Sequence, residues 1–524
     1  MKKPALLVLS LFLLLACFAA CEQQDLPNPP AQSTPEQTTE PVTEPVTEPV
    51  TEPADPTLAP APEQVIGDLD ADAVIMEIGT KTRQVLLHRC DWEQVQAAFV
   101  TAGYVDVKAT LLQNTKLQTR VMHGNQYTLT LQSTPDGVHA IWEPYNQAAL
   151  SVLTPNQATG TGEVTLAQLG IARTEETDNP MNGMCYIYKL SDGSAVIIDG
   201  GLNTADCRNN IINTLKKLDI AKTEDGRYRI TAWILTHGHK DHRAAFTGVG
   251  NKFGEQIALS YVLYNFPVSP GTLTASTFDL VNFEAKLATN YPDAVHVIAH
   301  AGLVYHFGNL SVQLLYSPEL MYKPGNTISY YNDTSLIFIA ECSGVRTLYM
   351  GDAGEDAAAI AWNTYERSAF RADILQITHH GFNTGDASHT WKFIRSIYNS
   401  TDAAYCLLPM GSRYVGEDRN GRYTVIVGHG LDGFQMSFVI DKTDKHGQSS
   451  ISQEYYDQFV ADVAAGTNTH PTLCGYDGVN KIVGSKGLIT YTSGNESEPM
   501  ITLFSLSADG VTVKDNLVLA KWLD

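Results

Sequence analysis

A short histidine-rich segment follows an apolar stretch near the middle of the chain. The apolar stretch is Tyr228–Leu235, and after Thr236 the sequence reads His237-Gly238-His239-Lys240-Asp241-His242. His237 and His239 are two positions apart, so in an extended turn both rings point to one side. Asp241 and His242 begin a predicted helix and can turn toward a second point nearby. Zinc takes imidazole and carboxylate ligands, and manganese or iron accept the same set. The spacing therefore predicts a metal site at the end of a buried strand.

Apolar segments of strand length recur through this region, and segments with helical periodicity lie among them. Cys207–Leu218 has helical periodicity, whereas Met184–Leu190 and Ser194–Asp199 flank a turn and predict a hairpin. Such alternation is typical of an α/β domain whose sheets are covered by helices. Further strands are predicted at Tyr261–Tyr264, His296–Ile298, Leu310–Tyr316, Leu336–Glu341, Thr347–Met350 and Ile374–Thr378.

Two shorter regions flank this domain. Before it, residues 65–160 contain predicted strands, a helix that begins at Asp91 and a hairpin around Thr134–Gly137, which together indicate a small α+β module. After it, residues 436–524 contain a predicted helix at Gln453–Ala464 and a hairpin formed by Ile501–Leu506 and Val511–Leu519. The pattern leaves open whether this C-terminal extension is a separate domain or a cover on the main one.

The N-terminus has the pattern of an export signal. A basic start precedes an apolar run from Ala5 to Ala16, which is too short to span a bilayer comfortably. Small residues lead to a cysteine twice, at Cys17 and at Cys21, and both places resemble the lipobox at which bacterial lipoproteins are acylated. We expect residues 1–21 to be a lipoprotein signal peptide with Cys21, or Cys17, as the anchor. A plain secretory signal is the alternative.

The next segment has the composition of a spacer. Residues 22–64 lack a hydrophobic pattern and repeat Thr-Glu-Pro-Val from Thr39 to Val50. Proline blocks helix and sheet, and the repeated glutamates repel one another, so this segment is expected to stay extended. About 40 residues at roughly 3.1 Å each reach on the order of 100 Å. Such a spacer would hold a folded domain away from a membrane, on the extracellular face of a bacterial cell.

Charge and cysteine content restrict the partners and the compartment. The chain of 524 residues carries a formal net charge of −22. Because such a surface repels phosphates, we expect no stable nucleic-acid complex, and membrane contact through the lipid anchor only. Six cysteines beyond Cys21 are scattered without a Cys-x-x-Cys pair, which is too sparse for a disulfide scaffold. We expect them to be buried small apolar residues.

The segment from His237 to His242, placed after an apolar strand, resembles the HxHxDH motif of the metallo-β-lactamase superfamily. Upstream, Ala195–Gly201 is similar to the strand of that superfamily whose final aspartate, here Asp199, buttresses the metal loop. Downstream, Leu348–Asp352 is similar to the strand that delivers a metal-bridging aspartate, and Asp373–Gly381 supplies late histidines. The resemblance implies an α/β fold, the αββα sandwich, over residues 161–435.

The resemblance also implies a ligand set and a mechanism. Two divalent ions are expected, with zinc as the first choice and manganese as the alternative. One ion would be held by His237 and His239, and the other by Asp241, His242 and one of His379 or His380, with Asp352 as the bridge. Asp241 would also orient the attacking water. The other histidine of the pair would donate to the leaving group or hold its neighbour in place through an outer contact, and His380 is named as a catalytic candidate as well as a possible ligand.

Within the superfamily, the chain is most similar to the hydrolase domain of the ComEC DNA-uptake proteins. The similar segments are Asn332-Asp333-Thr334-Ser335-Leu336, His379-His380-Gly381 and Tyr405-Cys406-Leu407-Leu408. The Pro-rich, surface-bound format also resembles the phosphorylcholine esterases of bacterial cell walls. One departure is clear, because the middle histidine of the superfamily has no matching motif. His296, His300 and His306 occupy the right interval, and Asn332, Ser335 and Tyr264 are weaker candidates for substrate contact.

These features together predict an exported, membrane-anchored hydrolase that uses a water activated by two metal ions. The ComEC-like segments favour a phosphodiester substrate, either nucleic acid or a phosphorylcholine-type decoration of the cell wall. A lactam, lactone or thioester hydrolase of the same fold is the second hypothesis. A surface binding protein on a degenerate enzyme scaffold is the third.

Overall fold

The computed structural model of the protein describes residues 58–113, 115–155, 162–169, 183–268, 279–325, 328, 330–381, 392–401, 403, 405–409 and 501–515, and short strands at 426–427, 437–438 and 472–475. The predicted signal peptide, most of the spacer and the helix predicted at 453–464 lie outside these residues. Among the helices within them, none is long and apolar enough to cross a membrane.

The first described region is a small module built on one sheet. In chain order its elements are α1 (Pro62–Leu69), β1 (Ile75–Glu77), β2 (Arg83–Leu87), α2 (Trp92–Thr101), β3 (Val105–Asp106), β4 (Gln118–Gly124), β5 (Tyr127–Thr134), β6 (Gly137–Pro144) and α3 (Gln147–Ser151). The strand order is β1-β2-β6-β5-β4-β3, with all neighbours antiparallel. The prediction of an α+β module here is confirmed.

Helix α2 illustrates how local sequence builds this module. The Asp91 carboxylate accepts a hydrogen bond from Gln94 N (2.8 Å), and Gln94 Oε1 accepts one from Asp91 N (3.0 Å). This reciprocal cap satisfies backbone donors at the start of the helix. One helical turn apart, Val95 and Phe99 are buried against Trp142 of β6 in the module's own core. The predicted helix start at Asp91 is confirmed.

The main domain begins with a larger sheet and three helices. Its elements are β7 (Val164–Leu169), β8 (Cys185–Lys189), β9 (Ala195–Asp199), α4 (Ala205–Lys217), β10 (Tyr228–Ile234), α5 (Lys240–Phe253), β11 (Ile257–Tyr264), α6 (Leu280–Asn290) and β12 (Val295–Ile298). β9, β10, β11 and β12 run parallel, whereas β7, β8 and β9 are joined antiparallel. The carboxyl ends of the parallel strands therefore meet at one edge of the sheet.

A second sheet follows. Its elements are β13 (Val304–Phe307), β14 (Leu310–Tyr316), β15 (Ile337–Cys342), β16 (Val345–Tyr349), α7 (Glu355–Thr364), β17 (Ile374–Gln376), α8 (Lys392–Thr401) and β18 (Tyr405–Leu408). The strands are hydrogen-bonded in chain order, antiparallel from β13 to β16 and parallel from β16 to β18. The end of β16 and the end of β17 thus lie side by side.

The two sheets pack face to face between two layers of helices. One buried cluster contains inward side chains of both sheets, such as Ile198, Ile234 and Phe338. A second packs α4, α5 and α6 on the outer face of the first sheet, and a third packs α7 and α8 on the outer face of the second. Burial of apolar side chains on both faces of each sheet holds this arrangement together. The predicted αββα sandwich is confirmed.

Strands from the predicted C-terminal extension belong to these same sheets. The last elements are β19 (Ile426–Val427), β20 (Ser437–Phe438), β21 (Thr472–Gly475), β22 (Ile501–Ser507) and β23 (Gly510–Asp515). β21 pairs parallel with β18, and β22 pairs antiparallel with β7. β22 and β23 form the predicted hairpin. β21, β22 and β23 therefore extend the two sheets of the sandwich, whereas β20 pairs with β19 in a separate two-stranded sheet.

Four cysteines lie at positions whose side chains the structure describes. Cys185, Cys207 and Cys342 are buried, and Cys90 is half-buried. Burial raises the pKa of the Cys342 thiol to about 12 and that of Cys185 well above its usual range. These residues therefore behave as small apolar core residues, as predicted, rather than as reactive groups.

A buried polar network joins the N-terminal module to the main domain. Glu319 is fully buried, and one of its carboxylate oxygens lies 2.9 Å from His300 Nδ1. The module supplies Gln132, whose Nε2 donates to the other oxygen of Glu319 (2.9 Å), and Glu143, which lies 3.2 Å from His300 Nε2. Burial alone lowers the pKa of His300, but the carboxylates of Glu319 and Glu143 outweigh it and raise the pKa to about 10.

We expect the stability of the protein to depend on pH through His300. The pKa of His300 is higher in the folded protein than its unfolded value of about 6.5. The protonated ring therefore stabilises the fold fully below pH 6.5, and this stabilisation is lost as the pH rises toward 10. The free energy of unfolding, measured in urea, should fall over this window. His300→Gln should make the free energy of unfolding less dependent on pH over this window. It should also lower that free energy at pH 6.5 by about 3–5 kcal/mol. His296→Gln is the control, and equal slopes in His300→Gln and the wild type would contradict the assignment.

Candidate metal centre

The histidine-rich segment lies where strand ends from both sheets meet. β10 ends at Ile234, two residues before Thr236, and His237 is the residue after Thr236. His239 precedes the first residue of α5, and His242 lies in its first turn. From the second sheet, Asp352 follows β16 and His380 follows β17. The two halves of the predicted site are therefore brought together across the sandwich.

Six of the predicted site residues form two adjoining groups of metal-ligand atoms. In each group, one ligand atom from every residue lies within 4.8 Å of the others. The two groups share the carboxylate of Asp352. The first group is Asp241, His242, Asp352 and His380, and the second is His237, His239 and Asp352.

The distances around Asp352 are short and all involve the same oxygen. Asp352 Oδ2 lies 3.1 Å from His242 Nε2, 3.5 Å from His380 Nε2 and 3.8 Å from His237 Nε2. Asp241 Oδ2 lies 3.3 Å from His380 Nε2. The Nε2 atoms of three histidines therefore converge on one buried carboxylate, whose side chain is only 2% exposed.

Each of these three histidines is held by its other ring nitrogen. His242 Nδ1 lies 2.8 Å from Asp199 Oδ2, His380 Nδ1 contacts the carbonyl oxygen of Pro409, and His237 Nδ1 lies 3.3 Å from Thr236 Oγ1. A carboxylate or carbonyl partner favours the proton on Nδ1 and leaves the Nε2 lone pair directed toward the centre. Such outer contacts are the usual means by which proteins orient histidine ligands of a metal ion.

Asp199 and Gly351 fix the two loops that carry the ligands. The buried Asp199 carboxylate accepts hydrogen bonds from Thr236 N and Thr236 Oγ1, both at 2.8 Å. Gly351 has a φ of +52°, and a Cβ at this position would lie 2.9 Å from Thr236 Cβ. Only glycine allows both this backbone conformation and this close approach of the Asp352 loop to Thr236. Asp199 therefore buttresses the metal loop, as the sequence predicted.

The electrostatics of the site favour positive charge at its centre. Burial alone raises the pKa of Asp352, but His242 and His380 outweigh it and hold the pKa well below its usual range. Burial lowers the pKa of His380, yet Asp352 and Asp241 raise it to about 9. Burial, followed by the nearby His242 and His239, holds the pKa of His237 well below its usual range. The carboxylates are therefore ionised and require protons or metal ions beside them.

The donor set fits divalent metal ions. His237 Nε2 and Asp352 Oδ1 are fully buried, and neither has a hydrogen-bond partner among the described residues. A buried polar atom without a partner costs free energy, and a coordinated ion would offset that cost. Imidazole nitrogen and carboxylate oxygen are the ligands that zinc and related ions take in catalytic sites.

The structure separates the two late histidines that the sequence named together. Both have left-handed backbones, with φ of 48° at His379 and 55° at His380. Their rings lie 6.2 Å apart, and only His380 joins the ligand groups. His379 is half-buried, and its Nδ1 lies 3.4 Å from the hydroxyl of Tyr330. Of the two histidines that the sequence left as alternatives, His380 is therefore the one that the structure brings to the ligand groups, because the backbone turn points adjacent side chains in different directions.

The three candidates for the missing middle histidine lie elsewhere. His300 belongs to the network with Glu319, His306 Nε2 contacts Thr110 Oγ1 (3.1 Å), and His296 packs near Tyr264. The predicted substrate contact of Tyr264 is also not observed, because Tyr264 is buried and its hydroxyl donates to Glu284.

Four residues near the centre were not assigned their observed roles from the sequence. Ser335 Oγ accepts a hydrogen bond from Asp352 N (3.1 Å) and so positions the aspartate that both ligand groups share. The ring of Tyr331 packs 4.8 Å from that of His239 and 6.2 Å from that of His237. Thr236 and Pro409 anchor ring nitrogens, as described above. The similarity of Asn332–Leu336 to the ComEC proteins could have pointed to Ser335. Nothing in the sequence around Pro409 predicts its contact with His380.

Comparison with known proteins identifies the family of this domain. Residues 178–317 match the model of the metallo-beta-lactamase superfamily. This chain contains a metallo-β-lactamase superfamily domain. The matched residues include Asp199 and the segment from His237 to His242, whereas Asp352 and His380 follow them in the chain. The enzyme class predicted from the sequence, a metal-dependent hydrolase, agrees with this family.

Solved structures show distant likenesses to the metallo-β-lactamase domain and its surroundings. The metallo-beta-lactamase fold protein YhfI from Bacillus subtilis has 14% identity and a TM-score of 0.28, covering 47% of this chain and 85% of its own. Zn(2+)-bound PqqB from Methylobacterium extorquens has 15% identity and a TM-score of 0.28, covering 41% and 72%. CmlA, a diiron β-hydroxylase from Streptomyces venezuelae, has 12% identity and a TM-score of 0.28, covering 51% and 45%. These TM-scores are too low to support any inference about activity. No curated protein sequence matches the chain.

Proposed function

We propose that this chain is an exported, lipid-anchored phosphodiesterase that uses two divalent metal ions. The proposal of two ions rests on the position of Asp352, whose carboxylate belongs to both ligand groups. A shared carboxylate is the usual bridge in two-metal hydrolytic sites, where the ions are roughly 3.5–4 Å apart. Zinc is our first expectation for the metal, and manganese is the alternative.

The residues have separate roles in this proposal. His237, His239 and Asp352 would hold one ion, and Asp241, His242, His380 and Asp352 would hold the other. When bound, two such ions would lower the pKa of a coordinated water and offset negative charge on the oxygens of the attacked phosphoryl group. The Nδ1 contacts to Asp199 and to the Pro409 carbonyl keep His242 and His380 in fixed orientations, so that their Nε2 atoms need no rearrangement during the reaction.

His239, Asp241 and His379 are partly exposed, whereas the other histidines of the centre and Asp352 are buried. The side chain of Asp241 is 26% exposed, whereas those of His242 and Asp352 are 0% and 2% exposed. We therefore assign to Asp241 the orientation of the attacking water through its carboxylate. His379 is half-buried beside His380, and we assign to it, rather than to His380, the hydrogen bond to the leaving-group oxygen.

Local charge favours an anionic substrate at this centre. Helix α5 begins at Lys240, and its positive N-terminal end therefore lies beside the ligands. Lys240 itself is exposed, and Arg243 Nε donates to the carbonyl of Gly238 (2.7 Å), which fastens the loop between the histidines. A phosphodiester carries its negative charge on the oxygens bonded to the attacked phosphorus, and the positive end of α5 would stabilise that charge. The resemblance to ComEC and to phosphorylcholine esterases supports the same substrate class.

The proposed location follows from the N-terminal sequence. Acylation at Cys21, or at Cys17, would anchor the chain in a bacterial membrane, and the Pro-rich segment before Leu58 would extend the enzyme from its outer face, since α1 already belongs to the folded module from Pro62. The net charge of −22 disfavours lasting contact with nucleic acid or with anionic lipid. A small phosphodiester or a cell-wall decoration therefore suits the surface better than a long nucleic acid.

A substrate panel tests the proposal. The chain without residues 1–21, supplied with Zn2+ or Mn2+, should hydrolyse bis-p-nitrophenyl phosphate or p-nitrophenyl phosphorylcholine, and a chelator should abolish the reaction. The reason is that both probes carry a phosphodiester to the proposed two-metal centre. Nitrocefin should be turned over poorly. Turnover of nitrocefin alone would replace the proposal with a lactam hydrolase, and no turnover of any probe would favour a binding protein.

A further inference from the structure

The two ligand groups differ in how many protein ligands they supply. Besides the shared Asp352, one group contributes Asp241, His242 and His380, whereas the other contributes only His237 and His239. A catalytic zinc site usually has three protein ligands and one open position, and larger coordination numbers need further donors. No histidine completes the smaller group among the described residues, since His300 and its neighbours lie in other contacts.

A buried amide follows the aromatic residue that packs on the smaller group. Asn332 directly follows Tyr331, whose ring packs on both His239 and His237. The side chain of Asn332 is buried, and its Nδ2 donates to the hydroxyl of Tyr330 (2.8 Å). Its Oδ1 is also buried and has no hydrogen-bond partner among the described residues. An amide oxygen removed from water in this way needs a donor or a cation.

The turn that carries Asn332 is fastened to the bridging aspartate. Ser335 N donates to the backbone carbonyl of Asn332 (2.9 Å), and Ser335 Oγ accepts from Asp352 N (3.1 Å). Leu336 N donates to the carbonyl of Thr236, the residue before His237 (3.0 Å). The segment from Asn332 to Leu336 is therefore tied to both loops that carry the ligands of the smaller group.

We propose that Asn332 Oδ1 is the third protein ligand of the ion held by His237 and His239. This inference rests on the two-metal centre proposed above. The hydrogen bond from Nδ2 to Tyr330 fixes one end of the amide and leaves the oxygen for the ion. Asn332 thus takes the place of the missing middle histidine, because a carbonyl oxygen is an accepted ligand for divalent ions, especially harder ones such as Mn2+.

The two ions should bind in a fixed order. The amide of Asn332 is neutral, so the smaller group carries only the charge of the shared Asp352. The other group carries the charges of Asp241 and Asp352 together. A divalent ion binds more tightly where more ligand charge surrounds it. The first ion should therefore occupy the group of Asp241, His242 and His380, and the second should bind more weakly beside Asn332.

Cobalt titration of the full chain, stripped of metal, tests this assignment. Wild-type protein should bind two Co2+ ions in two steps, followed by calorimetry and by the visible absorption bands of the ion. Asn332→Ala should leave the first step unchanged and weaken the second by at least about tenfold, with altered absorption. Asn332→His should restore the second step. Asn363→Ala, at an exposed position of α7, is the matched control and should titrate like the wild type.

Each outcome of the titration decides between the proposals. Two unchanged steps and an unchanged spectrum in Asn332→Ala would overturn the role of Asn332 but leave the two-metal centre intact. No Co2+ binding by the wild type would instead overturn the centre itself. If Asn332→Ala does not fold, Asn332→Asp keeps the size of the side chain and adds a charge. It should tighten the second step, and an unchanged second step would count against the assignment.

Discussion

Replacing Asp352 with alanine is expected to reduce bound metal from two ions to less than one per chain and to lower phosphodiester hydrolysis by at least about a thousandfold. The reason is that one buried carboxylate serves both ligand groups. Its loss removes a ligand from each ion and leaves the Nε2 atoms of His242 and His380 facing each other without the negative charge that joins them. Elemental analysis and a p-nitrophenyl phosphodiester assay measure the two effects.

Loss of the fold has to be separated from loss of the metal in this experiment. Asp356→Asn removes a charge from an exposed position in the first turn of α7 and should retain both metal and activity. Far-ultraviolet circular dichroism of Asp352→Ala should match the wild type, because the sheets are held by apolar packing rather than by the metal. An Asp352→Ala protein that kept two ions and full turnover would refute the bridging role.

Replacing Asp199 with alanine is expected to lower the free energy of unfolding by about 3–5 kcal/mol and to weaken metal binding by roughly 10–100-fold. The carboxylate is completely buried and accepts hydrogen bonds from the backbone and the hydroxyl of Thr236, while it also lies 2.8 Å from His242 Nδ1. Its removal leaves these donors buried without an acceptor and frees the ring of His242 to rotate. Urea denaturation and equilibrium dialysis of metal measure the two losses.

Asp199→Asn provides a control of matched shape. The amide oxygen can still accept one hydrogen bond, but its NH2 group faces a donor, so we expect a loss between those of the wild type and Asp199→Ala. Asp192→Asn, at an exposed hairpin position where the carboxylate meets Ser194 and Arg229, should change stability little. Equal urea midpoints for Asp199→Ala and the wild type would show that the hydrogen bonds of Asp199 do not stabilise the fold.

Much of the metal centre was predictable because its ligands follow strands with clear apolar patterns. β10, β16 and β17 are short buried strands, and their carboxyl ends carry His237, Asp352 and His380. A strand ends where its apolar pattern ends, so the residues that follow it are fixed by local sequence. The order of strands in the superfamily then implied that these ends meet, and the αββα layers agree with that expectation.

The parts that could not be predicted depend on contacts between distant residues. Nothing local distinguishes His379 from His380, and the choice follows from left-handed backbone at both residues and from the carbonyl of Pro409. The contact of Asn332 with Tyr330 likewise appears only when the segment is folded against the centre. The network of Glu319, His300 and Glu143 also joins residues far apart in sequence.

The sequence by itself determined the residue types, their spacing and the α/β class, since these follow from local periodicity and from the chemistry of imidazole and carboxylate, whereas the αββα sandwich was implied by the family resemblance. His237, His239, Asp241 and His242 needed only their positions after an apolar strand to be recognised as ligands. The tertiary structure alone decided which nitrogen of each histidine faces the centre, that His380 rather than His379 joins the ligand groups, and that Asn332 Oδ1 lies buried without a hydrogen-bond partner among the described residues. These features depend on distances and burial across the two sheets, which no local pattern in one strand encodes.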